Sequence, residues 1–203
     1  MGKDLSDMTL EELWELFPIF LVAHDDRWKD CYNEIEKTLT GLLSDQPVVR
    51  ISHIGSTAIQ GIWAKNIVDV MVEIPQNVDM KDMAQVLEQN GFTIMSSEAN
   101  RISLNSGYTE NGFADKVFHI HLRYAGDNDE LYFRDYLNEH PDVAKEYETL
   151  KLRFGNNMSI TGMLIQMQRQ ISSLNGRHKH GRNMEIDTDK FLLNYLKRKL
   201  YLC

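Results

Sequence analysis

The stretch HIGSTAIQGIWAKNIVDVMVEI, residues 53–74, decides the fold of this chain. An apolar run ends in the pair Gly55-Ser56, and a second apolar run carries a single acid, Asp69. Two neighbouring strands of this kind place a turn with backbone N–H donors beside a carboxylate, and such a pair can hold a phosphate and its metal ion. No second acid follows two residues later, where Met71 stands.

Length and composition fit one globular core in a cytoplasmic protein. The 203 residues can bury a sizeable core, and the net charge of −8 lacks the basic footprint of non-specific nucleic-acid binding. Two cysteines, Cys31 and Cys203, form no disulfide framework, which is typical of a reducing compartment. No apolar run reaches the ~18 residues of a membrane span, and the N-terminus has no apolar signal core. The sequence therefore predicts a cytoplasmic location, with neither membrane nor nucleic acid as a partner.

Helical and strand periodicities alternate along the chain and predict an α+β fold, with one mainly antiparallel sheet flanked by helices. The spacing predicts helices over 8–17, 25–43, 80–89, 133–137 and 142–153, with a helical turn at 58–64. Strands are predicted over 19–22, 48–54, 66–74, 92–96, 101–108 and 116–124. No linker interrupts residues 1–154, which we take as one domain.

The composition changes after Phe154. Residues 155–184 contain four methionines and no acidic residue, and they follow neither helical nor strand periodicity. Reading suitable codons for residues 154–187 from their third base yields an aromatic, helix-periodic peptide. We therefore predict that one base is missing near Phe154 and that residues 155–203 form an out-of-frame, poorly packed tail. The alternative is a variable C-terminal tail of unusual composition.

A lone Gly-Ser pair is more often a simple turn than a binding site. Asp69 is what makes Gly55-Ser56 a candidate for phosphate binding. A carboxylate between Val68 and Val70 is costly to bury unless it is paired or metal-bound. We take Asp69 as the candidate catalytic and metal-binding residue, with a salt-bridged strand-end acid as the alternative. Glu73 cannot join Asp69 on one ion, since four residues of strand separate them by ~13 Å.

A second polar cluster lies in the run FHIHLR, residues 118–123. His119 and His121 share one strand face, and with Asp69 they could form a 2-His-1-carboxylate site for a divalent ion, Mg²⁺ or Mn²⁺. The two histidines could equally bind phosphate or lie on a solvated face.

Four cations are candidates to meet a phosphate: Lys65, Arg101, Arg123 and Arg134. Arginine captures phosphate in a bidentate way, whereas lysine acts as a point charge. For each alone, a surface ion pair is the alternative. Three tyrosines are candidates to stack on a base, with core or rim packing as the alternative: Tyr108, Tyr124 and Tyr136.

Several stretches together resemble the GrpB family, which resembles a branch of the nucleotidyltransferase superfamily. They are residues 53–74, Asp26-Arg27-Trp28, KVFHIHLRYAGDNDELYFRDYLNEHP (116–141) and VAKEYETLK (143–151), within a match over about residues 13–153. The superfamily pattern is Gly-Ser, a spacer, then Asp-apolar-acid-apolar. Met71 stands where the second acid belongs, a departure that GrpB-like sequences share, so the resemblance implies the fold better than the activity.

The resemblance implies that Gly55, Ser56 and Asp69 line a nucleotide pocket. From this we expect a nucleotidyltransferase-like protein that binds a nucleotide or phosphorylated metabolite and transfers a nucleotidyl group with a divalent metal. The alternative is a non-catalytic binding module that lacks the second metal-binding carboxylate. A third interpretation is a protein-interaction scaffold that uses the helix of Trp14 and Phe17.

Overall fold

The computed structural model describes residues 8–18 and 20–154. The chain divides into two compact units, Met1–Asn138 and Glu139–Cys203. The helices are α1 (Leu10–Leu16), α2 (Arg27–Leu42), α3 (Met80–Gln89), α4 (Asp129–Glu139) and α5 (Pro141–Phe154). The strands are β1 (Arg50–Ile54), β2 (Val68–Ile74), β3 (Thr93–Ser97), β4 (Arg101–Thr109) and β5 (Gly112–Tyr124), and a 3₁₀ turn covers Ser56–Ala58.

The five strands described form one sheet in the order β1-β2-β5-β4-β3. β1 pairs with β2, β4 with β5, and β3 with β4, all antiparallel. The central pair β2–β5 is parallel. The predicted α+β fold with a mainly antiparallel sheet is therefore confirmed. The parallel pair matters for the site, because it aligns two strands that are far apart in the sequence.

The two faces of the sheet differ in character because side chains alternate along each strand. One face is apolar and packs against α2 and α3. Its core is formed by Trp28, Ile35, Leu39, Val68, Val70, Val72, Ile74, Met83, Leu87, Ile102, Leu104, Ile120 and Leu122. The opposite face carries the polar series of β2 and β5, and α4 places Leu131 there against Ile54 and Met71.

Most predicted elements are present, with differences at the ends. Helix α3 matches its predicted span, and α1 begins with a capping box formed by Thr9 and Glu12. The strand predicted at 19–22 is reduced to one bridge between Val22 and Ala64, and residue 19 lies outside the described residues. The helical turn predicted at 58–64 is wrong, because the turn comes earlier, at Ser56–Ala58, where Ala58 N–H and Ile59 N–H already bond back to Gly55 and Ser56.

Of the second unit the structure describes α5, which confirms the predicted helix at 142–153. Pro141 starts it, where a missing N–H costs nothing. The tail predicted for residues 155–203 lies outside the described residues. Among the helices described, none is both long and apolar enough to cross a bilayer.

Candidate functional site

The parallel pairing of β2 and β5 brings Asp69 beside His119 in register. The Oδ1 atom of Asp69 lies 3.1 Å from Nε2 of His121 and 3.6 Å from Nδ1 of His119. One ligand atom from each of the three residues lies within 4.8 Å of the other two. The arrangement is therefore able to hold a metal ion, and it joins residues that the sequence separates by 52 positions.

In both histidines, the ring nitrogen that points away from Asp69 lies within hydrogen-bonding distance of a hydroxyl group. Tyr108 Oη lies 2.9 Å from Nε2 of His119, and Ser103 Oγ lies 3.5 Å from Nδ1 of His121. Both hydroxyls come from β4, which pairs with β5 on the side opposite to β2. When the hydroxyl accepts the outer N–H, the inner nitrogen carries a lone pair that can bind a cation. In the other tautomer the inner N–H of His121 donates to Asp69.

The three side chains form a gradient of exposure. The side chain of His121 is 6% exposed, that of Asp69 14% and that of His119 23%. The alternative of a plain solvated face for the two histidines is therefore wrong for His121, which is buried. The cluster opens to solvent mainly on the His119 side.

Gly55 stands directly against the Asp69 carboxylate. Its φ of 74° and ψ of −169° are accessible to glycine and rarely to other residues. A Cβ on Gly55 would lie 2.9 Å from Cγ of Asp69 and closer still to Oδ2. The structure thus places the Gly55-Ser56 turn beside Asp69, which is the adjacency expected from the sequence.

A neutral histidine lies behind this turn. The ring of His53 stacks on Tyr32 of α2 with centroids 4.9 Å apart, and Nε2 lies 3.0 Å from Thr57 Oγ1. Burial lowers the pKa of His53 to about 4, against a smaller opposing pull from Asp69. His53 is therefore uncharged at neutral pH and adds no positive charge beside Asp69.

The predicted phosphate-binding cations occupy different settings. Lys65 is half-buried just before β2. Arg134 of α4 donates from Nη1 to the His53 carbonyl at 2.8 Å and pairs with Asp135 at 2.7 Å. Arg123 is 2% exposed, and its Nη1 donates to the Leu122 carbonyl at 2.9 Å. The guanidinium of Arg123 is thus buried in the fold. Arg101, the fourth candidate, donates from Nε to Asp127 Oδ2 at 2.7 Å. The phosphate-binding roles of all four cations stay predictions.

No second carboxylate joins Asp69 from the described part of β2. Met71 is fully buried with Ile54 and Leu131. Glu73 is buried, with Oε2 accepting from Arg50 Nε at 2.5 Å and Oε1 accepting from Asn128 Nδ2 at 3.1 Å. On this face of β2, Met71 therefore contributes to packing and Glu73 to an internal ion pair.

The sequence alone does not identify Ser103 and Tyr108 as partners of the two histidines. The ring of Tyr108 packs among Phe17, Phe113 and His119, and its base-stacking role stays a prediction. The register of β4 with β5 is the signal for Ser103, which pairs with His121, whereas Tyr108 pairs with Phe113. That register depends on a shift between Ser106 and Tyr108, which strand alternation alone does not reveal.

The family model described as GrpB protein matches residues 18–163. The chain belongs to the GrpB family. The resemblance seen in the sequence is thus confirmed. A relative within this family, UPF0157 protein YqkA of Bacillus subtilis, is 30% identical over 148 residues, which cover 70% of this chain and 42% of that protein. The chain therefore matches less than half the length of this relative.

The solved structure of conserved protein GrpB from Enterococcus faecalis has a TM-score of 0.57 at 20% identity, over 90% of this chain and 99% of that one, which supports the fold. A weaker likeness links this GrpB-family chain to a structure of the Cid1 poly(U) polymerase, with a TM-score of 0.42 and 16% identity over 57% of this chain and 38% of that one.

Proposed function

We propose that this protein binds one divalent metal ion through Asp69, His119 and His121, and through that ion a nucleotide or phosphorylated metabolite. The observation that carries the proposal is the convergence of three ligand atoms within 4.8 Å beside the Gly55 turn. The carboxylate of Asp69 and the two imidazoles supply one oxygen and two nitrogen donors, a set that one divalent cation can bind.

The phosphate would meet the ion on the open side of the cluster. His119 is the most exposed of the three side chains, so a phosphate would reach a bound ion from that side. A divalent ion binds phosphate oxygens directly and neutralises their charge. In this proposal Gly55 and Ser56 line the pocket, and Lys65 supplies a further positive charge, as expected from the sequence.

The site supports one ion rather than two. Two-metal phosphoryl chemistry places its ions ~4 Å apart, with carboxylates shared between them. The position two residues after Asp69 is the buried Met71, and Glu73 is engaged by Arg50 and Asn128. This favours a binding module over a two-metal nucleotidyltransferase, and nucleotidyl transfer remains the alternative outcome of the test.

Thermal unfolding of the full chain tests the proposal. We expect ATP to raise the unfolding temperature with Mn²⁺ present and not after chelation of divalent ions. Asp69→Asn removes a metal ligand and abolishes the shift. The matched control is Asp26→Asn, because Asp26 is a fully exposed acid in the same unit.

Three results would decide between the hypotheses. A shift that persists in Asp69→Asn, or no shift with ATP, UTP or inorganic phosphate, would contradict the proposal. Release of pyrophosphate from a nucleoside triphosphate, lost in Asp69→Asn, would instead establish the transferase.

A further inference from the structure

We infer that the ion held by Asp69, His119 and His121 is a transition metal such as Mn²⁺, Fe²⁺ or Zn²⁺ rather than Mg²⁺, and that Tyr108 and Ser103 are positioning residues for its imidazole ligands. This inference rests on the proposed function and names the chemical class of its cofactor. Of the two ions expected from the sequence, Mg²⁺ and Mn²⁺, this inference excludes Mg²⁺.

The donor atoms decide the class of ion. The cluster offers two imidazole nitrogens and one carboxylate oxygen, and it is the one group of at least three potential histidine, cysteine or acidic ligands among the described residues. Mg²⁺ prefers oxygen ligands and keeps several waters, whereas imidazole suits Zn²⁺, Fe²⁺ and related ions. Two histidines with one carboxylate leave adjacent positions open for an oxygen ligand.

The distances agree with ligands of one small ion. Ligands about 2.1 Å from a metal lie roughly 3.0–3.5 Å apart when they occupy neighbouring positions of an octahedron or tetrahedron. The Asp69–His121 and Asp69–His119 separations of 3.1 Å and 3.6 Å are of this size. The two histidine nitrogens lie no more than 4.8 Å apart, so all three donors are close enough to share one ion.

The outer hydrogen bonds supply an observation independent of the ligand count. Metal-binding histidines commonly donate their second N–H to a fixed oxygen, which sets the tautomer and the ring orientation. Tyr108 Oη and Ser103 Oγ stand at those outer nitrogens. Both inner nitrogens face Asp69, as two histidines arranged around a cation would.

Phe17 fixes Tyr108 from the other side. The Phe17 ring lies 4.9 Å from that of Tyr108 and 5.1 Å from that of Phe113, which in turn lies 5.1 Å from Tyr108. This aromatic cluster holds the tyrosine at the end of β4 so that its hydroxyl meets His119. Loss of the hydroxyl alone leaves the aromatic packing in place, which makes Tyr108→Phe a clean test.

The test uses full-length protein stripped with a chelator and titrated calorimetrically with MnCl₂, ZnCl₂ or MgCl₂. We expect one Mn²⁺ or Zn²⁺ per chain, with Mg²⁺ failing to saturate at the same concentrations. The visible absorption of bound Co²⁺ serves as a second readout, because its position and intensity depend on the donor atoms and on the coordination geometry. His121→Gln removes the nitrogen ligand and the Co²⁺ band, whereas His24→Gln, which changes a histidine that contacts Asp26 and Trp28, leaves both.

Tyr108→Phe tests the positioning role. We expect affinity for Mn²⁺ to fall about 10–100-fold, as for other outer-shell changes, while the unfolding temperature of the metal-free protein stays close to wild type. This variant also keeps the inference testable if His121→Gln fails to fold. An unchanged affinity for Mn²⁺ in Tyr108→Phe would remove the positioning role.

The outcomes separate this inference from the proposed function. Equal affinity for Mg²⁺ and Mn²⁺, or a Co²⁺ band that survives in His121→Gln, overturns the transition-metal assignment and leaves metal-dependent nucleotide binding intact. Tight Mn²⁺ binding without any stabilisation by nucleotide or phosphate overturns the proposed function and leaves the metal site.

Discussion

At the scale of single residues, the position of the Asp69 carboxylate depends on the absent side chain of Gly55. The carboxylate occupies the space that a Cβ would need, and the backbone at Gly55 adopts a conformation that other residues rarely adopt. The contact with Asp69 and the positive φ thus both require glycine at position 55. A sequence can place a glycine beside an acid, but this contact appears only when β1 and β2 are paired.

Gly55→Ala tests this contact. We expect a loss of roughly 1–3 kcal/mol in the free energy of unfolding from backbone strain, together with weaker Mn²⁺ binding because Asp69 is displaced. Urea denaturation and calorimetry measure the two effects. Gly61→Ala is the matched control, since Gly61 also has a positive φ, 72°, but a Cβ there meets nothing within 4 Å. Equal Mn²⁺ affinity in wild type and Gly55→Ala would argue against the role of this contact.

His53 gives a pH dependence whose sign is fixed. Burial lowers its pKa from 6.5 to about 4 in the folded protein, so between these values the unfolded chain binds the proton and the folded protein does not. The stability from neutral His53 is complete above about pH 6.5 and falls as the pH drops toward 4, by on the order of 2–3 kcal/mol. Urea titrations at pH 7 and pH 4.5 measure this change.

The control for this pH dependence is His53→Gln, which cannot take up the proton and can still reach Thr57. We expect this variant to lose less stability than wild type between the two pH values. An equal loss in both proteins would show that other groups carry the acid sensitivity.

At the scale of elements, the pair β1–β2 is held by more than its backbone ladder. Arg50 of β1 reaches across to the buried Glu73 of β2, and Asn128, just before α4, binds the other carboxylate oxygen. One buried acid therefore links an edge strand, a central strand and the start of a helix. Because both of its carboxylate oxygens bind these partners, Glu73 stabilises the sheet and does not serve as a metal ligand.

Arg50→Ala should therefore cost roughly 2–4 kcal/mol in the free energy of unfolding, because it leaves a buried carboxylate short of its partner. The matched control is Arg27→Ala, which breaks an ion pair with Asp25 in which Arg27 is mostly exposed, and we expect little change there. Chemical denaturation of both variants checks the difference. Similar effects in the two variants would mean that the burial of Glu73 does not matter.

The elements also show what sequence periodicity can and cannot predict. The span of the helix Met80–Gln89 can be predicted from local features of the sequence, namely its N-cap Asp79 and its apolar spacing. The register of β5 is not local, because it depends on pairing with β2 on one side and β4 on the other. The spacing could thus suggest Asp69, His119 and His121, but not the hydroxyls behind the histidines or the burial of Arg123.

At the scale of the whole molecule, the reading frame after Phe154 is a separate prediction. The expected out-of-frame tail of residues 155–203 lies outside the described residues, which end at Phe154. We predict that sequencing the gene across this codon finds one additional base, which restores an acidic and aromatic C-terminal segment. Repeated sequencing that returns the same frame would exclude the hypothesis.

The parallel alignment of β2 with β5 has a further consequence. The proposed ligands Asp69, His119 and His121 come together only when the chain is folded. No short peptide of this chain contains both halves of the cluster, and in the denatured chain Asp69 and His121 are far apart. An ion that prefers the assembled state adds about 1.4 kcal/mol for each tenfold excess over its dissociation constant. Metal starvation would then shorten the lifetime of the molecule, so that supply of the ion sets protein abundance as well as ligand occupancy.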